Sequence, residues 1–162
     1  MQKNSDEILI RKAIPEDTPA ILNLIKELAV YEKLSDEVVA TEESLGTTIF
    51  GTKSHVMVYL AEYKNELSGY AIFFRNFSTF VGKAGIYLED IYVRPQFRGR
   101  GIGKKLLMKV IELAKENNYG RVEWCVLDWN KPAIDFYKKL GAEAMEEWTI
   151  FRLSEDKFKN LV

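Results

Sequence analysis

Apolar positions recur along this chain with two periods, every second residue in some segments and every third or fourth residue in others. The first period is typical of β-strands and the second of amphipathic helices. Six segments have the strand pattern, and they cover residues 8–13, 56–61, 69–74, 87–93, 121–127 and 148–153. Four segments have the helical pattern and begin near Thr18, Thr41, Ile102 and Asn130, while residues 155–162 fit either a short helix or a frayed end.

The order of these segments predicts the architecture. A strand and two helices come first, strands suited to antiparallel pairing follow, and the chain ends in strand, helix, strand, helix and strand. Residues 64–66 predict a hairpin turn between two apolar runs. The expected fold class is therefore α/β, of the α+β type, with a mixed, mostly antiparallel sheet of six to seven strands, helices on both faces and one βαβ crossover. Residues 1–162 are expected to form a single domain.

Composition narrows the function classes. Hydrophobic residues make up 47% and charged residues 29% of the chain, which is ordinary for a globular protein, and no apolar run approaches the ~20 residues that span a bilayer. Residues 1–7 are polar and lack a signal-peptide pattern, so we expect a cytoplasmic location and no membrane partner. A single cysteine, Cys125, and a single histidine, His55, leave no His/Cys cluster for a transition metal, and we therefore expect no metal.

Charge is unevenly distributed, although the net charge is only −1 and gives no whole-molecule attraction to nucleic acid. Between residues 94 and 109 six basic residues occur without an acid, whereas up to residue 43 ten acids stand against five bases. One region therefore suits an anion and the other a cation, although a solvated helix face explains the acidic region about equally well.

Two adjacent carboxylates, Glu89 and Asp90, lie in the middle of the apolar segment 87–93. Successive side chains of a strand point to opposite faces, so we expect these two to face opposite sides of the sheet. Burial of an ionised carboxylate without a partner is costly. A functional role is therefore favoured unless the strand lies at an edge or a neighbouring group satisfies the charge. Glu89 is the better functional candidate, and a structural role is the stronger alternative for Asp90.

A glycine-rich turn follows that segment. Gly99, Gly101 and Gly103 let the backbone approach a ligand closely, and the N–H groups at the start of the next helix suit a phosphate or pyrophosphate. Two familiar nucleotide motifs do not match. The Walker pattern requires a glycine where Arg98 stands, and the Rossmann fingerprint requires one where Lys104 stands. The predicted anion is therefore neither a nucleoside triphosphate nor NAD.

The turn resembles the Arg-x-x-Gly-x-Gly signature of the Gcn5-related N-acetyltransferases, the GNAT superfamily, which residues 98–103 reproduce at full spacing. Further segments resemble the spermidine/spermine (diamine) acetyltransferase branch, and they match in order over nearly the whole chain. They are residues 24–32, 87–90, 129–132 and 136–138. The resemblance implies the GNAT fold, acetyl-CoA as the cosubstrate, direct attack by an amine without an acyl-enzyme, and a homodimer.

The resemblance also assigns roles to individual residues. Glu89 corresponds to the carboxylate near the substrate amine and Tyr137 to the tyrosine beside the thioester sulfur, and these two are the predicted catalytic residues. The predicted substrate-binding residues are Tyr31, Glu32, Glu89 and Asp90. The predicted cofactor-binding residues lie on one strand, the glycine turn and a later helix, and they are Ile91, Tyr92, Val93, Arg98, Gly99, Arg100, Gly101, Ile102, Gly103, Lys104, Asn130, Ala133 and Tyr137.

General chemistry agrees with these roles. An alkylamine has a pKa near ~10, so only about one part in a thousand is free base at neutral pH, and Glu89 can accept the proton directly or through water. The leaving thiol has a pKa of about 8.5, so Tyr137 can assist as a donor, although without the resemblance Tyr137 fits a core aromatic better.

The predicted function is acetyl transfer from acetyl-CoA to a primary amine of a small cationic substrate, which is a diamine, a polyamine or a lysine-like amino acid. Two alternatives stay open. One is an acyl-CoA-binding regulatory module without turnover, and the other is a peptide or protein N-acetyltransferase.

Overall fold

A computed structural model describes residues 7–161 of the protein. Residues 1–6 and Val162 lie outside the described residues. The expectation that residues 1–7 are not a signal peptide therefore falls almost entirely on residues that are not described. The chain divides into two compact units after Cys125, and each unit is described by itself. The single domain over residues 1–162 stays a prediction.

A five-stranded sheet forms the centre of the first unit, and its strands lie in the order in which they occur in the chain. The first four strands pair antiparallel, and the fifth pairs parallel to the fourth. The strands are β1 (Ile8–Lys12), β2 (Val56–Tyr63), β3 (Glu66–Ser78), β4 (Lys83–Val93) and β5 (Val122–Trp124). The mostly antiparallel sheet is confirmed, but the predicted number of six to seven strands is wrong, because the described residues form five.

Three helices of the first unit begin close to the residues that the sequence signals indicate. They are α1 (Thr18–Glu32), α2 (Glu42–Phe50) and α3 (Ile102–Glu116). Thr41 caps α2, and its side-chain oxygen accepts the Ser44 N–H at 3.1 Å. The third helix connects β4 to the parallel strand β5, so these three elements form the predicted βαβ crossover.

Helices cover both faces of the sheet, as predicted. On one face, buried residues of β2 and β3 pack against α1 and α2 in one core cluster. Its members include Ile21, Leu24, Leu28, Ile49, Val58, Leu60, Tyr70 and Ile72. On the other face, Tyr59 stacks on Phe73 with ring centroids 5.1 Å apart. Burial raises the pKa of Tyr59, and the charge of Lys109 on α3 lowers it.

The second unit contains α4 (Lys131–Lys139) and α5 (Glu155–Phe158), a single helical turn. The predicted strand over residues 148–153 is wrong, because this segment is irregular. Its apolar side chains are exposed, with Trp148 71% and Phe151 93% accessible. Alternation of side chains does not suffice for a strand, since the backbone N–H and C=O groups must also pair with a neighbouring strand. The fifth strand is likewise shorter than the predicted segment 121–127.

Candidate active site

The strand β4 contains a β-bulge at its pair of carboxylates. Across the ladder to β3, Leu88 pairs with Phe73 and Asp90 pairs with Ile72, so Glu89 is an extra residue between two consecutive pairs. A bulge of this kind bends the strand and re-aims its side chains. Local geometry around Glu89 and Asp90 therefore differs from that of a regular strand.

Side-chain contacts on both sides of the bulge show the consequence. Tyr87 stacks on Phe74 with ring centroids 5.3 Å apart, and Asp90 accepts a hydrogen bond from Tyr70. Phe74 and Tyr70 are four residues apart on β3 and share a face, so Tyr87 and Asp90 share that face as well. Strict alternation would place residues 87 and 90 on opposite faces. The regular alternation of side chains, which predicts Glu89 and Asp90 on opposite faces, is therefore interrupted between residues 87 and 90.

Asp90 is partly buried and hydrogen-bonded. The Tyr70 hydroxyl donates to Asp90 Oδ2 at 3.0 Å, and Tyr70 itself is fully buried. Burial raises the pKa of Asp90 to about 6 against the lowering effect of the Tyr70 hydrogen bond, and the charges of Glu89 and Glu32 raise this pKa further. Glu89 itself is exposed. The bulge thus carries one exposed and one partly buried carboxyl group, and the pKa of the partly buried one is raised to about 6.

Replacing Asp90 by asparagine is expected to stabilise the folded protein at neutral pH. An unfolded aspartate ionises near pH 3.9, whereas the folded Asp90 ionises near 6, so its ionised form opposes folding above that pH. This opposition disappears as the pH falls from about 6 to about 4, and Asp90→Asn lacks it at every pH. Urea denaturation should give the variant a free energy of unfolding higher by about 3 kcal/mol at pH 7.5 and nearly equal to wild type at pH 4.

The exposed carboxyl group of Asp36, in a short turn after α1, provides the matched control. We expect Asp36→Asn to leave the free energy of unfolding nearly unchanged over the same pH range. A difference between Asp90→Asn and wild type that does not vary with pH would contradict the ionisation argument.

Arg98 connects the last turn of α1 to the glycine turn. Its guanidinium lies 4.6 Å from the Tyr31 ring centroid and 5.7 Å from that of Tyr92, and its Nε donates to the Val93 carbonyl at 2.9 Å. Beside Tyr31 in the chain, burial raises the pKa of Glu32. The structure therefore brings two groups of predicted residues together through Arg98, the substrate-binding end of α1 and the cofactor-binding turn.

The glycine turn leaves its backbone open to an approaching group. Gly99 and Gly101 have φ angles of +76° and +83°, in the left-handed region that glycine adopts without strain. A Cβ at either position would meet no heavy atom within 4 Å. Gly101 immediately precedes α3, and the first N–H groups of any helix lack intrahelical acceptors. This backbone can therefore donate hydrogen bonds to an anion.

The last residues of β4 form an open edge. The fifth strand pairs only with residues 86–88 of β4. Within the described part of the first unit, no strand pairs with Ile91, Tyr92 and Val93 along that edge. An extended ligand can add to such an edge through main-chain hydrogen bonds. This geometry suits the backbone role predicted for the three residues.

Three of the predicted residues lie on or next to α4 in the second unit. Asn130 caps this helix, and its side-chain oxygen accepts the Ala133 N–H at 3.4 Å. Tyr137 lies one turn after Ala133 and is partly buried, with its ring centroid 5.4 Å from that of Phe136. The predicted helix and its cap are confirmed, while the cofactor contacts of these residues stay predictions.

Within residues 7–161, no group of three or more histidine, cysteine, aspartate or glutamate side chains is arranged to hold a metal ion. In the same part of the chain, every helix is too short or too polar to cross a bilayer.

Tyr70 is the residue that the sequence did not reveal. It partners Asp90, yet in the sequence it belongs to an aromatic run that predicts only a buried strand. Its role depends on the register between β3 and β4, which places Tyr70 opposite Tyr92 and two residues from Ile72, the partner of Asp90. The sequence contains one signal for this role, because a tyrosine hydroxyl needs a hydrogen-bond partner when the residue is buried, and Tyr70 lies in a segment predicted to be buried.

Comparisons with known proteins agree with the resemblance drawn from the motifs. A model of the Acetyltransferase (GNAT) family matches residues 19–142. The chain is 41% identical over 165 residues to Thialysine N-epsilon-acetyltransferase of Bos taurus. The alignment covers 95% of this chain and 96% of the relative. It is 34% identical over 192 residues to L-ornithine N5-acetyltransferase of Arabidopsis thaliana. That alignment covers 91% of this chain and 84% of the relative.

Among solved structures, an integron cassette protein from the mobile metagenome of V. cholerae superposes with a TM-score of 0.80. The two chains are 24% identical, and the match covers 96% of this chain and 97% of the other. This likeness concerns the fold alone, and it confirms the α+β class with a mixed sheet and helices.

Proposed function

Because this chain belongs to the GNAT family of acetyltransferases and is an N-acetyltransferase, we propose that it transfers the acetyl group of acetyl-CoA to a primary amine of a small cationic substrate. The amine attacks the acetyl carbon directly in a ternary complex. The substrate class comprises diamines, polyamines and lysine-like amino acids. One observation carries this proposal, the acidic site at the β4 bulge. There Asp90 accepts a hydrogen bond from Tyr70, and the charges of Glu89 and Glu32 act on it.

The three carboxyl groups of this site favour a cationic substrate. Burial and mutual repulsion disfavour the ionised form of Asp90, and a bound ammonium group would offset both effects. Tyr31, next to Glu32, already binds a cation, since the Arg98 guanidinium lies 4.6 Å from its ring centroid, so the carboxyl groups carry the argument for a cationic substrate. The names of the two relatives, which specify a side-chain nitrogen of thialysine and of L-ornithine, support the same class of acceptor.

The glycine turn and the open edge of β4 fit acetyl-CoA, which supplies an acetyl group activated as a thioester. The fit rests on Gly99 and Gly101, where no protein atom blocks the backbone. Backbone N–H groups and basic side chains of residues 99–104 would hold the pyrophosphate. The other residues assigned to the cosubstrate are Ile91, Tyr92 and Val93 on β4 and Asn130, Ala133 and Tyr137 of the second unit.

The reaction requires an acceptor for the amine proton. At neutral pH about one part in a thousand of an alkylamine is free base, because its pKa is near ~10. Glu89 takes this proton, directly or through a water molecule, as the nitrogen–carbon bond forms. Its exposed position at the bulge then allows the proton to pass to solvent.

The reaction also requires a donor for the leaving group. The carbon–sulfur bond breaks with its electron pair on sulfur, and a thiol of pKa about 8.5 gains from a donor at that moment. Tyr137 donates its hydroxyl proton to the sulfur and is reprotonated from solvent. One nitrogen–carbon bond forms, one carbon–sulfur bond breaks, and no acyl-enzyme is formed.

Measurement of CoA release with a thiol reagent tests the proposal. With acetyl-CoA, we expect the purified protein to release CoA when a diamine, polyamine, lysine analogue or amino acid with a side-chain amine is added, and mass spectrometry should detect the acetylated amine. No acceptor-dependent release with any small amine would contradict the substrate class. Release with peptides alone would indicate a peptide or protein N-acetyltransferase, and binding of acetyl-CoA without release would indicate a regulatory module.

The resemblance to the family also implies a homodimer. This assembly, the cytoplasmic location and the lack of nucleic acid and membrane partners stay predictions.

A further inference from the structure

We propose that Tyr70 is a positioning residue of the amine site, and that its buried hydroxyl holds Asp90 as an oriented carboxylate that binds the substrate cation. This inference rests on the proposed function, because it requires an amine substrate at the acidic site. Tyr70 acts through Asp90 and does not itself contact the amine.

The geometry of the pair supports this role. Tyr70 lies on β3, which has a strand on either side, and no part of its surface is accessible. Its ring centroid is 6.4 Å from that of Tyr92, and close packing of this kind fixes the phenol in place. The hydroxyl donates to Asp90 Oδ2 at 3.0 Å. Because a carboxylate has about four acceptor positions, this bond orients Asp90 and leaves capacity for an ammonium group.

The electrostatics of Asp90 explain why the hydroxyl matters. Burial raises the pKa of Asp90, the hydrogen bond from Tyr70 lowers it, and the charges of Glu89 and Glu32 raise it, with a result of about 6. A substrate cation would add a second interaction that favours the ionised form. Binding of the amine and ionisation of Asp90 are therefore linked, and the hydrogen bond from Tyr70 lowers the pH at which this linkage operates.

Three neighbouring elements contribute the other titratable groups that face the pair. They are Glu32 from α1, Glu89 and Tyr92 from β4, and Arg98 from the turn that follows β4. Two of these groups are carboxylic acids and one is a phenol. Arg98 is the one basic group among them, and its guanidinium lies over the Tyr92 ring. A cationic substrate would complement this predominantly negative set.

Kinetics of Tyr70→Phe as a function of pH test the inference. The substitution removes the donor and keeps the ring, so the pKa of Asp90 should rise and more of its carboxyl group should be neutral near pH 6.5. We expect the KM for the amine to exceed that of wild type about tenfold at pH 6.5 and by a clearly smaller factor near pH 9, where Asp90 is ionised in both proteins and only its orientation differs. Titration of the amine itself is common to both proteins and cancels in this ratio. The KM for acetyl-CoA should not change.

The pH dependence separates a positioning role from a purely structural one. If Tyr70 only filled space, Tyr70→Phe would change the KM for the amine by the same factor at every pH, or not at all, and either outcome would overturn the inference. Tyr59→Phe is the matched control, because Tyr59 lies on the neighbouring strand β2 and stacks on Phe73, whose side chain points to the opposite face of the sheet from Tyr70. Its kinetic constants should equal those of wild type throughout the pH range.

A binding measurement on other variants keeps the inference testable if Tyr70→Phe folds poorly. Amine binding to the wild-type protein near pH 6 should release protons from Asp90, which calorimetry in buffers of different ionisation enthalpy detects. Asp90→Asn should abolish this release. Proton release that persists in Asp90→Asn would overturn the inference.

Failure of this inference differs from failure of the proposed function. If no small amine stimulates CoA release by the wild-type protein, the proposed function fails. If the wild-type protein acetylates amines and Tyr70→Phe matches it at every pH, the proposed function stands and only the role of Tyr70 is wrong.

Discussion

Replacing Tyr137 by phenylalanine is expected to lower kcat about 100-fold, while acetyl-CoA binds with its wild-type affinity. The substitution removes only a hydroxyl group, and the ring that neighbours Phe136 on α4 is retained. In the proposed reaction negative charge develops on the CoA sulfur, and the hydroxyl of Tyr137 supplies a proton or a hydrogen bond at that moment. Steady-state kinetics give kcat, and calorimetric titration gives the dissociation constant of acetyl-CoA.

Tyr119 provides the control for this substitution. It follows α3 and is partly buried, and it contributes a backbone N–H to the Ala114 carbonyl at 2.9 Å, a bond that Tyr119→Phe preserves. We expect Tyr119→Phe to have wild-type kcat. Wild-type kcat in Tyr137→Phe would remove Tyr137 from the donor role, and a parallel loss of acetyl-CoA affinity would assign it to binding instead.

The features that the sequence predicted correctly depend on local signals. The spaced glycines predict a turn, which the structure contains with Gly99 and Gly101 in the left-handed region, and the amphipathic pattern of the next segment predicts a helix that begins near Ile102, as the structure has it. The same signature identified the GNAT family, which the family match confirms. A turn followed by a helix is specified by neighbouring residues, so its prediction needs no knowledge of the rest of the fold.

The β-bulge at Glu89 depends on the pairing of two strands and has no local signal. The pattern of residues 87–93 predicts a regular strand, and only the register against β3 reveals the extra residue. For this reason a structural role for Asp90 stayed an alternative at the level of the sequence, and Tyr70 was not identified as its partner. The sequence named Glu32, Glu89 and Asp90 as candidates, but it did not show how their carboxyl groups are arranged relative to one another.

The packing of Arg98 is another feature that the sequence could not predict. An arginine in a basic, glycine-rich turn suggests a direct contact with an anion. Its guanidinium in fact lies over the ring of Tyr31, which is 67 residues earlier in the chain, and its Nε bonds the Val93 carbonyl. The segment 148–153 illustrates the same limit, because an alternating pattern does not specify which strand it would pair with.

Replacing Gly101 by valine is expected to weaken acetyl-CoA binding about 100-fold and to leave the KM for the amine nearly unchanged. Gly101 caps the N-terminus of α3 with a φ angle of +83°, and the space around its Cβ position is open. A branched side chain there would occupy the path by which a pyrophosphate reaches the first N–H groups of the helix. Calorimetric titration with acetyl-CoA measures the loss, and the thiol assay measures the KM for the amine.

Valine at this position also strains the backbone, because branched residues rarely adopt the left-handed region. Gly82, in the turn between β3 and β4, isolates this effect, since it has a φ angle of +66° and an equally open Cβ position. Gly82→Val should lower the free energy of unfolding as Gly101→Val does, by about 1–2 kcal/mol, with no change in acetyl-CoA affinity. Equal loss of affinity in both variants would attribute the loss to strain. A loss of acetyl-CoA affinity confined to Gly101→Val would indicate that the pyrophosphate binds the backbone at the start of α3. This is the anion-binding role expected of a glycine turn that matches neither the Walker nor the Rossmann pattern.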